Sequence, residues 1–113
     1  MARSDLLVEL VHLDGVAVLG VQGEVDAATA PAFREEVKRT KALGVPVVLD
    51  LTGVTFMDSS GLQVLIEASH DPDGEPEAGL IRGASQQVQR LLEMTGLKYL
   101  LAPQSERSDP APP

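Results

Sequence analysis

The stretch Val47-Val48-Leu49-Asp50-Leu51-Thr52-Gly53-Val54-Thr55-Phe56-Met57-Asp58-Ser59-Ser60-Gly61-Leu62 decides how this chain folds. Its start, Val45 to Leu51, holds Val47, Val48 and Leu49 in an unbroken apolar run. Such a run predicts a strand covered on both faces, at the centre of a sheet flanked by helices. Thr52-Gly53 is a turn signal, and Val54 to Met57 reads as a short extended piece. After Asp58-Ser59-Ser60-Gly61, residues Leu62, Leu65, Ile66 and Ser69 recur at helical spacing. Two hydroxyls and a carboxylate therefore stand where a buried strand hands over to a helix. A helix N-terminus has free N–H groups and a partial positive charge, so it tolerates an anion. A phosphoryl group on a serine there is favoured by its own protein, and at an interface it adds about two negative charges. On spacing alone, the plainer reading is favoured, that Asp58 or Ser59 is merely a helix cap.

Outward from this stretch, residues 6–13 and 16–22 are apolar runs separated by Asp14-Gly15, a hairpin signal. They predict an antiparallel pair, after which Gly23-Glu24-Val25-Asp26 leaves the sheet. Thr29 is a candidate N-cap with Pro31 in the first turn, opening a helix over 30–43 that Gly44 stops. Phe33 and Val37 mark its apolar face. Residues 70–79 form an acidic loop, with Asp71 to Glu77 expected to be exposed. Leu80-Ile81 is a short strand, and Ser85 caps a helix carrying Val88, Leu91, Leu92 and Thr95 on one face, closed by Gly96. The order strand, strand, helix, strand, helix, strand, helix predicts a single α/β domain. It is a mixed β-sheet with an antiparallel N-terminal strand pair and helices packed against it, over residues 1–101. Pro, Ser, Asp, Arg and Ala dominate 102–113, which predicts a disordered C-terminal tail.

Composition narrows the function. A length of 113 residues fits one domain, and 43% hydrophobic residues suffice for one core. Aromatic residues are only Phe33, Phe56 and Tyr99, so no platform for stacking bases exists. A net charge of −8 disfavours direct nucleic-acid contact and anionic membranes, and favours a basic protein surface as partner. The chain has no cysteine, which excludes disulfides and thiolate chemistry. No signal peptide is visible and no apolar run approaches the roughly 20 residues of a membrane helix. The expectation is a cytoplasmic protein without membrane insertion.

No nucleophile elbow and no phosphate loop are present, so enzymatic activity is not expected. His70 with Asp71, Asp73 and Glu75 faintly evokes a cation loop, but Pro72 and Pro76 break the pattern, and no metal or cofactor is expected.

Three blocks carry a resemblance. Gly23-Glu24-Val25-Asp26-Ala27-Ala28-Thr29-Ala30 resembles the early loop of the STAS domain family. Phe56-Met57-Asp58-Ser59-Ser60-Gly61-Leu62 is similar to its phosphorylation motif, and Leu91-Leu92-Glu93-Met94-Thr95-Gly96-Leu97 to its closing helix. They occur in the family's order, over residues 5–101. The resemblance is to the anti-sigma-factor antagonist branch. It implies binding to an anti-sigma factor that is also a serine kinase, which releases a sigma factor. Phosphorylation of Ser59 would end the binding, and a metal-dependent serine phosphatase would restore it. Gly23, Glu24, Asp26, Asp58, Ser60, Gly61, Leu62 and Gln63 would form the partner-binding surface. Gln63 stands where antagonists commonly have glycine, and Gln86 where they often have proline. The alternatives are a STAS accessory module of a membrane transport system and a small-ligand sensor using the same loops.

Overall fold

The computed structural model describes residues 6–70 and 79–102. The chain forms β1 (Leu6–Leu13), β2 (Val16–Val25), α1 (Ala30–Lys41), β3 (Val47–Met57), α2 (Ser59–Ala68), β4 (Ile81–Ala84) and α3 (Gln86–Met94). A short 3-10 turn, Lys98–Leu100, follows α3. The expected acidic loop, 71–77, and the expected tail beyond Ala102 lie outside the described residues. Ala102 itself, assigned to the tail from sequence, belongs to the domain: its N–H donates to the Ile81 carbonyl at 2.8 Å.

The sheet order is β1-β2-β3-β4, with β1 antiparallel to β2 and the remaining pairs parallel. Asp14 and Gly15 both have positive φ, 52° and 79°, as the two central residues of a type I′ hairpin require. The register then runs without interruption from Leu13 opposite Val16 to Leu6 opposite Gly23.

Three sequence expectations need correction. First, β2 does not end at Gln22: it continues to Val25, with Glu24 opposite Phe56 and Val25 opposite Met57. Second, Thr52-Gly53 does not turn the chain. β3 is one strand, and its register slips twice against β2. The turn chemistry is expressed as a bulge, where the Asp50 carboxylate accepts from the Thr52 N–H (3.1 Å) and hydroxyl (2.7 Å).

Third, β3 is not covered on both faces. Val47, Leu49 and Leu51 are buried, whereas Val48, Asp50 and Thr52 on the alternate face are not. The buried residues of all three helices and of the sheet form one cluster, including Phe33, Val37, Leu65, Val88 and Leu92. The helices therefore cover one face and leave the other open. α1 and α2 lie side by side, joined by an Arg34–Glu67 ion pair at 2.7 Å. Hydrogen bonding from Arg34 holds the Glu67 carboxyl below its usual range. No helix among the described residues is long and apolar enough to cross a membrane.

Candidate functional site

The site lies where two neighbouring parallel strands end together and each hands over to a helix. The Asp58 N–H donates to the Val25 carbonyl at 3.2 Å, which ties the end of β3 to the end of β2. A second tie comes from α3: the Gln87 side-chain oxygen accepts the Met57 N–H at 3.0 Å. Gln87 escaped sequence reasoning because thirty positions separate it from Met57 and nothing local marks it.

At the start of α2, Asp58 is extended and its carboxylate accepts the Ser60 N–H at 2.8 Å, a side-chain N-cap. Of the two residues that the sequence offers as a cap, Asp58 fills the role and Ser59 does not. Ser59 is the first helical residue and is exposed, while Ser60 is half-buried. Among the described residues neither hydroxyl makes a hydrogen bond. Among the described residues no side chain is hydrogen-bonded to the Ser59 hydroxyl to polarise it for attack. It is presented outward, over the free N–H end of a helix.

The first turn of α2 lies hard against the strand ends. A Cβ added to Gly61 would sit 2.6 Å from Met57 Cγ and 2.8 Å from Val25 Cγ1, so only glycine permits this approach. Gly61 and Leu62 are buried. They support the site from beneath and do not form its surface.

The start of α1, alongside, is built differently. The Asp26 carboxylate accepts the N–H groups of Ala28 (3.0 Å) and Thr29 (3.1 Å), and its carbonyl accepts from Ala30 at 2.7 Å. Thr29 occupies the N-cap position but makes no side-chain cap. Its buried hydroxyl instead donates to the Glu24 carbonyl at 2.8 Å and accepts the Asp26 N–H at 3.0 Å, bracing the loop. Gly23, at φ 106°, sits at the second slip of register, in a backbone region that glycine adopts readily.

The exposed rim therefore comprises Ser59, Glu24 and Gln63, with Asp26, Asp58 and Ser60 half-exposed. Gln63 reaches Glu67 at 3.4 Å, one turn along α2. The rim thus carries three carboxylates and two unbonded hydroxyls, of which only that of Ser59 belongs to an exposed residue. The arrangement suits a basic partner surface and an acceptor of a transferred group.

Comparison with known proteins adds the following. The family model described as the STAS domain matches residues 8–108. The chain is 39% identical over 92 residues to the anti-sigma-B factor antagonist of Listeria monocytogenes, covering 80% of this chain and 76% of that one. It is 31% identical over 97 residues to the anti-sigma-F factor antagonist of Mycobacterium tuberculosis, covering 85% and 79%. A crystal structure of an anti-sigma factor antagonist from Mycobacterium paratuberculosis superposes with a TM-score of 0.76 at 30% identity, covering 92% of each chain.

Proposed function

The chain belongs to the STAS domain family, and from that premise we propose that it is an anti-sigma-factor antagonist switched by phosphorylation of Ser59. Its relatives are named for that regulatory binding role. In its unmodified form the rim of Glu24, Asp26, Asp58, Ser59 and Gln63 docks on an anti-sigma factor and so releases a sigma factor in the cytoplasm. That anti-sigma factor is also the serine kinase, and a metal-dependent phosphatase reverses the modification.

The observation that carries this reading is the state of the Ser59 hydroxyl: exposed, without a hydrogen bond, and one residue beyond a cap that Asp58 already provides. Phosphorylation thus breaks no structural contact. The new dianion sits over the free N–H groups at the start of α2 and is tolerated by the fold. A docked partner, in contrast, would have to strip water from about two added negative charges beside three carboxylates, which opposes binding.

The test is to incubate the protein with an anti-sigma factor kinase and ATP, then map phosphate by peptide mass. One phosphate on Ser59 is expected. Phosphate on Ser60 with Ser59 clean would refute the assignment.

A further inference from the structure

The two edges of the sheet are treated differently by the fold. On the β4 side, the strand is four residues long and a later segment of the chain lies against it: Leu101 bridges Ile81 and the Ala102 N–H donates to the Ile81 carbonyl. On the β1 side the strand is eight residues long, and among the described residues no strand pairs with its outer side. Protein edges are ordinarily blunted by Lys, Pro, bulges or a covering segment. β1, Leu6-Leu7-Val8-Glu9-Leu10-Val11-His12-Leu13, has no Lys or Pro and no slip of register against β2. Leu7, Leu10, Val11 and Leu13 on this strand are 43–53% exposed.

We propose that this edge pairs with the same edge of a second copy, antiparallel about a two-fold axis at Leu10, to give a continuous eight-stranded sheet. The sequence of β1 is self-complementary in that register. Side chains on one face of an antiparallel ladder must stay on that face, so only residues of like parity can stand opposite. Centred on Leu10, the pairing sets Leu10 against its own copy and Leu7 against Leu13. It also sets Val8 against His12 and Glu9 against Val11. Apolar contacts form on both faces, and no like charges meet.

Charge also selects the occupant. The chain carries −8 overall, yet Glu9 is the single acid within β1, and the strand holds no Lys or Arg, only His12. A foreign strand chosen by charge finds only one formal charge to read there, at Glu9, whereas a second copy needs only the apolar pattern. Ser59, beyond the end of β3 and two strands away from β1, stays accessible in such a dimer.

Sedimentation of the full chain between about 10 μM and 1 mM should show a monomer giving way to a dimer, as a weak strand-edge contact would. Leu10→Lys sets two ammonium groups face to face and should leave a monomer throughout. Because the chain has no cysteine, single cysteines report the register directly. Leu10→Cys places two thiols on directly opposite residues, about 4.5–5.5 Å apart at Cα and within disulfide reach. Leu7→Cys places them about 20 Å apart, six residues out of step. Under mild oxidation the first variant should form covalent dimer at least about ten-fold faster. A wild-type chain that stays monomeric at every concentration would overturn the proposal, as would equal cross-linking of the two variants.

Discussion

The starts of α1 and α2 are the same construction carried out to opposite ends. Each follows the end of a parallel strand, each has an aspartate at the junction, and each has a hydroxyl residue close behind. At α1 the hydroxyl of Thr29 is buried and spends both its donor and its acceptor capacity on the backbone of Glu24 and Asp26. At α2 the aspartate alone supplies the side-chain cap, to the Ser60 N–H, and the exposed Ser59 has no hydroxyl partner among the described residues. The difference teaches where a fold can carry a switch. A hydroxyl that holds two backbone groups cannot be modified without unmaking the loop. One that holds nothing can gain a phosphate while the helix beneath it stays intact.

The largest effect should come from attacking the locked side. Thr29→Val keeps the shape and removes the buried hydroxyl, leaving the part-buried carbonyl of Glu24 and N–H of Asp26 without that partner. A cost of about 2–3 kcal/mol is expected in denaturant unfolding. A loss under 0.5 kcal/mol would show that solvent replaces Thr29 freely and that the two starts are not different in kind.

Next in size is Gly61→Ala. Its methyl group would enter the space of Met57 and Val25, both buried, and overpacking of this sort costs about 1–3 kcal/mol. The helix propensity gained over glycine returns up to about 1 kcal/mol, so a net loss of about 1–2 kcal/mol is expected from thermal or denaturant melts. A stabilised variant would mean that α2 can lift from the strand ends at no cost.

The architecture was legible where one local signal dominated its neighbourhood. Asp14-Gly15 specified the hairpin, Phe33 and Val37 the buried face of α1, and Ser85 the cap of α3, whose hydroxyl accepts the Val88 N–H at 3.3 Å. What failed were signals that tertiary pairing reinterprets. Thr52-Gly53 reads as a turn in isolation, but β2 holds both sides of it in the sheet, so it becomes a bulge. The run Val47-Val48-Leu49 reads as doubly covered, yet Val48 faces the open side with Val18 as its neighbour.

At the site, Asp26, Asp58 and Ser59 were legible as residues. Their division of labour was not, because whether a hydroxyl braces or hangs free depends on which carbonyls lie within about 3 Å of it. Gln87 was invisible for the same reason.

The third substitution weakens the open side without touching the acceptor. Asp58→Ala removes the carboxylate that caps the Ser60 N–H, and a lost N-cap costs about 1 kcal/mol. The helix start should fray, raising hydrogen exchange at Ser60 and Gly61 more than at Leu65, one turn on. A uniform rise across α2 would place the loss in packing and not in the cap.

The smallest effect on stability, and the sharpest on the comparison, belongs to Ser59. Ser59→Ala removes a hydroxyl that bonds to nothing among the described residues, at an exposed position, so the melting midpoint should move by less than about 0.5 kcal/mol equivalent. On the proposed function it also abolishes phosphate uptake and leaves partner binding permanently on. Ser59→Asp should melt close to wild type, since a carboxylate at a helix start is favoured by the dipole. It should nevertheless bind the anti-sigma factor more weakly, because the charge must be desolvated on docking. The weakening should fall short of that caused by phosphate, which brings a further charge and a third terminal oxygen. Calorimetric titration of wild type, both variants and the phosphoprotein against the same partner separates these effects, with the melts excluding unfolding as a cause. Equal affinities across all four would place Ser59 outside the interface. The open hydroxyl would then be an ordinary exposed serine, and the contrast with Thr29 would concern stability alone.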